Sequence, residues 1–229
     1  MTINSKCKFI ATAILIFFST QQALFASTVL EVDVDYLLDK AKLIFEGEVV
    51  SSEAKWTQDK TSILTFITFK VKDVIKGNIS SPNITLRFAG GTVGEIGLQI
   101  SGMVYPTVGE NGIYFFENPD TQMINPLVGW GQGHFRIKKD NKGVERVLTE
   151  GDTPVLGLDI AGTNATKKNG TSKPSVIPFS HGVARGVRTN NRKDAMHTAM
   201  QKKIFKDTLK ARMSATSSKA NSKPLTTGK

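Results

Sequence analysis

Cysteine is almost absent from this chain. The single residue, Cys7, lies in the first twenty-six positions, so residues 27–229 have none. That excludes a disulfide framework and cysteine-based metal or nucleophile chemistry from the main body, which must be held by its own core. Histidine is nearly as scarce, with His134, His181 and His197 the complete set. None has a second histidine, a cysteine or a well-placed carboxylate at ligand spacing, so a structural or solvent-exposed role is expected for each and no metal site is indicated. There is no Gly-x-Ser-x-Gly elbow, and Ser180 beside His181 is adjacency within a linker-like stretch. No Gly-Lys-Ser/Thr follows a glycine-rich turn, and no glycine set has dinucleotide spacing. No cofactor is expected.

Long apolar runs are missing too, with one exception. Lys6 and Lys8 precede an apolar stretch from Phe9 to Phe18, and the segment closes on Leu24-Phe25-Ala26. This is the pattern of a secretory signal peptide over residues 1–26, too short for a permanent span. The chain is expected to be exported to the periplasm or beyond, with no transmembrane segment after signal removal.

Charge divides the rest. Residues 27–160 hold 13 Lys and Arg against 18 Asp and Glu, a net of −5, whereas residues 161–229 hold 15 against 2, a net of +13. A mildly acidic body thus carries a basic C-terminal third, either an interaction tail or a solvated extension.

The body reads as β. Leu43, Phe45 and Val49 alternate with Ile44, Glu46 and Glu48; Ile63, Ile67, Phe69 and Val71 share one side of the next run; Ile84, Leu86 and Phe88 alternate with Thr85 and Arg87. Period two in β-branched and aromatic residues is the mark of half-buried strands. Further strands are expected at 113–117, 133–138 and 145–148. Turn chemistry joins them at Gln58-Asp59-Lys60, Lys76-Gly77-Asn78, Gly109-Glu110-Asn111-Gly112 and Asp140-Asn141-Lys142-Gly143. Val34, Leu37, Leu38 and Ala41 have helical spacing, so one short helix is expected over 33–41. Gly90, Gly91, Gly94 and Gly97 emerge from a strand and run on into another, which fits a bend or bulge at a barrel corner better than a phosphate cradle.

Together these strands predict a mainly β domain over residues 27–150. A helix precedes an Ile-Phe-x-Gly-x-Val strand (Leu43 to Val50); a Thr-rich strand ends in Val-x-x-Val-Ile-Lys-Gly (Thr65 to Gly77); Gly90-Gly91, Pro106 to Glu110, Phe115-Phe116 and Gly129 to Phe135 follow in order. This order resembles an uncharacterised class of exported bacterial domains, and is similar to the OB-fold barrel of netrin-like modules and tissue inhibitors of metalloproteinases. The resemblance covers about half the chain and implies a five-stranded, partly open OB-like antiparallel β-barrel with a binding role. It does not carry over the zinc-chelating wedge of those inhibitors, which needs an N-terminal cysteine, while this chain offers Ser27-Thr28-Val29.

Candidate residues are few. Asp33/Asp35 suit a helix start and Glu46/Glu48 an exposed strand face. Trp130, flanked by glycines and followed by His134, is either a flat binding surface or a plug over the barrel end; Trp56 has the same two readings. Residues 151–190, rich in Gly, Thr, Ser, Asn and Pro, read as a linker or loosely docked segment. The sequons at Asn78, Asn83, Asn164 and Asn169 read as chance matches. Residues 191–213 read as a basic helix with Met196, Met200, Ile204 and Phe205 on one arc, Leu209 at its boundary, and Lys202, Lys203, Lys206 and Lys210 opposite. That helix either binds an anionic membrane surface or an acidic protein partner, or docks on the barrel. Residues 214–229 are expected to be disordered.

The sequence therefore points to an exported noncatalytic binding module, with Trp130, His134, Lys202, Lys203, Lys206 and Lys210 as candidate contacts. Its rivals are a hydrolytic enzyme whose site forms only in three dimensions, and a nucleic-acid-binding OB barrel, which the acidic body argues against.

Overall fold

The computed structural model describes residues 28–118, 123–159, 176–178, 182–190, 192 and 195–221, with side chains to 215 and none for 176–178. The signal segment and the 160–175 part of the expected linker lie outside the described residues, as do Ser180, His181, Asn164 and Asn169.

Two long strands, β2 (Leu43–Trp56) and β3 (Ile63–Lys76), follow the short strand β1 (Thr28–Leu30) and helix α1 (Val34–Lys40). Asp33 caps α1 by accepting from Tyr36 N, and Lys76 closes its other end by donating to the Leu38 and Asp39 carbonyls. Then come β4 (Asn83–Ala89), a small hairpin of β5 (Gly91–Val93) and β6 (Ile96–Leu98), and β7 (Asn111–Phe116). A 3-10 turn at Trp130–Gly133 leads into β8 (His134–Lys139) and β9 (Glu145–Thr149). The last strands are β10 (Val155–Leu158), β11 (Val176–Pro178) and β12 (Val187–Thr189), and helix α2 (Lys202–Asn221) ends the described chain.

Six of the strands form one antiparallel sheet in the order β4-β3-β2-β7-β8-β9, and the remaining six pair off as β1 with β11, β5 with β6 and β10 with β12. The β2–β3 register shifts three times along its length, and each such irregularity adds bend and twist, so the sheet coils. Its end strands, β4 and β9, do not pair with one another among the described residues.

Each face of the sheet carries a buried cluster. One carries Phe45, Phe69, Phe88, Tyr114 and Phe116 in mutual ring contact, with centroids from 4.8 to 6.5 Å apart. The other carries Ile44, Ile113, Phe115, Phe135, Ile137 and Val147, and is covered by α1, the β10–β12 pair and α2. Gln132 ties the chain start to this frame: its Oε1 accepts from Val32 N at 2.9 Å and its Nε2 donates to the Leu30 carbonyl at 2.9 Å.

The C-terminal half departs from the sequence expectation in four places. The described parts of 151–190 are not a loose linker: Val155, Leu158, Ala184 and Val187 are buried, and Arg185 N donates to the Val32 carbonyl. The last helix starts at Lys202 instead of 191, because Met200 N bonds the Val155 carbonyl and Gln201 bridges to Arg146, which holds the preceding residues extended. It runs on to Asn221, so residues 214–221 are helical where disorder is expected, and 222–229 lie outside the described residues. On α2 the buried pair is Phe205 and Leu209, while Ile204 is 50% exposed. No helix among the described residues is long and apolar enough to cross a membrane.

Candidate functional site

Glu46 is the first acidic surprise. Strand alternation places it on the side of Ile44, and its register partner on β3 is Asp73. Two like charges directly opposite on neighbouring strands repel. Helix α2 answers with lysines spaced by four residues, one row on a helix surface: Lys202 and Lys206 both bond Glu46, Lys206 also meets Asp73 at 2.8 Å, and Lys210 stands 3.5 Å from Asp73. Lys202 further pairs with Glu145 on β9. Glu46, expected on an exposed face, is 5% exposed because α2 lies over it. Burial pulls the Glu46 carboxyl upward, but the two ammonium groups outweigh that and hold it below its ordinary value; Asp73 behaves likewise beside Lys206 and Lys210. Three of the four candidate lysines are thus engaged with the sheet. Lys203 points away and pairs with Asp207 along the helix.

The second cluster lies on the aromatic face. Tyr114 on β7 is opposite His134 on β8, and their rings stack at 4.9 Å. Glu110, from the turn before β7, turns inward: one oxygen accepts from Tyr114 Oη at 3.2 Å and lies 2.7 Å from His134 Nε2, and the other accepts from Arg136 Nη2 at 2.8 Å. Arg136 reaches on to Asp152 at 3.1 Å. Glu150 approaches His134 Nδ1 to 3.6 Å, beyond hydrogen-bond reach, so that nitrogen has no hydrogen-bond partner. Glu150 also rests against the backbone of Gly131, where a Cβ would come within 2.1 Å of Oε2.

Burial opposes charge on His134, yet its bond to Glu110 and the nearby negative charge of Glu150 outweigh burial and raise its pKa. For Glu110, burial acts upward and the His134 and Arg136 charges bring it below the usual range. Burial and the Glu110 charge push the Tyr114 hydroxyl up, so it stays protonated. The side chains of His134 and Glu110 are only 1% and 7% exposed, so the group is a closed network that carries charge inside the protein. It contains an acid, a base and a hydroxyl, and Arg136 and Asp152 carry it on toward the surface. No group of three or more His, Cys, Asp and Glu among the described residues could hold a metal ion.

Trp130 is half-buried, sits at φ 60° and begins the 3-10 turn that delivers His134 to β8. Trp56 is partly exposed at the end of β2, opposite Ile63. His197 is exposed in its short 3-10 turn.

The glycine-rich segment forms neither a phosphate cradle nor a bulge in the main sheet; it makes the β5–β6 hairpin over the ends of β2 and β3. Gly91, at φ 131°, comes so close to β3 that a Cβ would lie 2.4 Å from Thr65 Oγ1. Between this hairpin and residues 99–105 is an open groove of about 510 Å³, lined chiefly by Gly91, Gly97, Leu98, Ile100, Met103 and Tyr105. Thr92 and Gln99 supply its polar side chains. Exposed Ile96 and Val104 belong to the same segments. From Phe88 to Gly109 the chain has one charged residue, Glu95, at the hairpin tip.

The chain matches no family model, no curated protein and no solved structure.

Proposed function

We propose that this chain is an exported, noncatalytic binding module built on an OB-like roll, and that it takes its ligand at the β5–β6 end of the sheet. The observation that carries this reading is the uncharged groove beside that hairpin, of a volume in the range of ligand pockets. The charged groups support it by elimination: His134 and Glu110 are sealed beneath the surface, and Lys202, Lys206 and Lys210 neutralise Glu46 and Asp73. Use of the lysine row by an anionic membrane or acidic partner would require α2 to leave its seat.

The OB-like and netrin-like assignment draws on the coiled pair β2–β3, flanked by β4 on one side and by β7 and β8 on the other. Export draws on the leader pattern of residues 1–26.

The test is capture on the purified exported chain from envelope and secreted fractions, followed by reconstitution with each purified candidate. A saturable one-to-one complex is the expected result. Catalytic turnover of a substrate, abolished by Glu110→Gln while the fold is kept, would instead promote the enzyme reading.

A further inference from the structure

The outer edge of β6 is an unusual strand edge. β6 pairs with β5 alone among the described strands, and Ile96, Gly97 and Leu98 are all exposed. Its register with β5 is Val93↔Ile96, Thr92↔Gly97 and Gly91↔Leu98, and the two-residue turn has Gly94 at φ 60°, the position where a type II′ turn takes glycine. In such a hairpin the closing pair Val93↔Ile96 is hydrogen-bonded. Alternation then makes Thr92↔Gly97 the non-bonded pair, which turns the Gly97 N–H and C=O to the outside.

Sheet edges are ordinarily defended by charges, prolines or a covering element. Residues 96–108 have no charge, and their only proline is Pro106, eight positions beyond the end of β6. On the face of the hairpin, a Cβ on Gly97 would meet nothing nearer than Thr92 Oγ1 at 3.4 Å, so this position has room for alanine. The contrast with the edge of the main sheet is instructive, since β9 is met by Gln201 and by α2.

We propose that β6 is an acceptor edge for an extended segment of another protein. The segment pairs with the outward N–H and C=O of Gly97, inserts an uncharged apolar side chain into the groove beside Leu98, Ile100 and Met103, and places a basic residue next to Glu95. Charge selects this occupant. A groove without charged lining disfavours ionic side chains, which lose hydration there without gaining a partner. The lone acid at the tip favours a lysine or arginine at one end. Backbone pairing supplies affinity and the groove supplies selectivity, as in other strand-addition complexes. The inference rests on the binding-module reading above and specifies its partner.

The probe is a blocked seven-residue peptide, one lysine followed by alternating threonine and valine, titrated into the full chain with the backbone amides observed by NMR. Saturable shifts at Gly97 and Leu98 are expected. Gly97→Pro removes the outward N–H without touching the hairpin's own bonds, and should weaken binding by about tenfold, the worth of roughly one net hydrogen bond. Gly97→Ala, which fits the space, should bind as the parent does. Ile100→Asp should also weaken binding, and Glu95→Lys should weaken it less at high salt than at low. N-methylation of the peptide's pairing amides should abolish binding.

Undiminished affinity in Gly97→Pro, or for the N-methylated peptide, would overturn strand pairing. So would the absence of saturable shifts at millimolar peptide. A dimer of the chain that Gly97→Pro dissolves would assign the edge to a second copy instead and overturn the proposal. A partner isolated by capture that still binds Gly97→Pro and Ile100→Asp leaves the binding-module reading standing while this inference fails.

Discussion

One face of the six-stranded sheet draws its buried residues, Phe45, Phe69, Phe88, Tyr114 and Phe116 among them, entirely from positions 43–127. The opposite face buries more side chains and is closed by distant parts of the chain: Val155, Leu158, Ala184 and Val187, then Phe205 and Leu209 on α2. The aromatic face is local in sequence and the aliphatic face is completed from outside. Loss of the basic third would therefore expose the second face to water. The C-terminal region contributes to the fold as a lid on the core, and its lysines are the electrostatic part of that lid.

The largest test of this difference is truncation after Ile160. Removing α2 and β12 exposes Phe115, Phe135 and Val147 and leaves Glu46 facing Asp73 without lysines. Loss of a single cooperative unfolding transition is the expected outcome, with hydrogen-exchange protection retained longest in β2 and β3 and lost from β8 and β9. A truncated chain that still unfolds cooperatively with an unchanged denaturant slope would show both faces to be self-sufficient. Next in size are single cavities. Phe205→Ala on the helix and Phe69→Ala beneath the aromatic face should each cost about 3–5 kcal/mol in chemical denaturation, since both rings are fully buried. A Phe205→Ala effect under about 1 kcal/mol would mean that α2 is only loosely seated.

The local face was legible in the sequence and the completed one was not. Period two in 63–71 and 84–88 marks strands whatever their partners, and a turn before β7 marks where that strand begins. Nothing comparable marks β10 and β12, strands of four and three residues whose apolar members do not repeat often enough to show a period. Helical spacing exposed the lysine row but not its acids, which are 156 and 160 residues away for Lys202 and Lys206 on Glu46. Ile204 and Leu209 exchanged places because a basic helix with a broad apolar arc has no sharp boundary until a partner surface chooses it. His134 was singled out in the sequence but its partner was not, Glu110 lying 24 positions away. Pairing β7 with β8 opposite each other would have brought Tyr114, His134 and Glu110 to one face, and that is the signal the sequence did contain.

The ion-paired seat of α2 gives a smaller effect. Glu46→Gln leaves Lys202 and Lys206 part-buried with half their compensation, and should destabilise by about 2 kcal/mol. Lys206→Met keeps Lys202 on Glu46 and preserves the packed stem, so its loss should be about half as large. The lowered values at Glu46 and Asp73 fix the sign with pH. Their contribution is present above the ordinary carboxylate values, about 4.3 for glutamate and about 3.9 for aspartate, and is lost as pH falls through the folded values. Thermal melting of Glu46→Gln should thus converge on the parent in acid. A gap that stays constant from pH 7 to pH 3 would break the link between these charges and the lid.

The closed network on the aromatic face should give the smallest effect, and the opposite pH trend. His134 has a raised folded value, so the stability it adds is complete below its unfolded value near 6.5 and drains away as pH rises through the folded one. Glu110, held low, contributes above about 4.3 and loses its contribution in acid. Since the two share a proton-bearing contact they titrate as a pair, and the pair is strongest between those limits. Replacing His134 by Gln keeps a donor for Glu110 but removes the charge, which should cost about 1 kcal/mol near pH 5.5. The parent and variant melting temperatures should then approach one another as pH rises through the folded value. A pH-independent difference would mean that His134 acts through ring packing on Tyr114 alone, and that the aromatic face owes nothing to the charge enclosed in it.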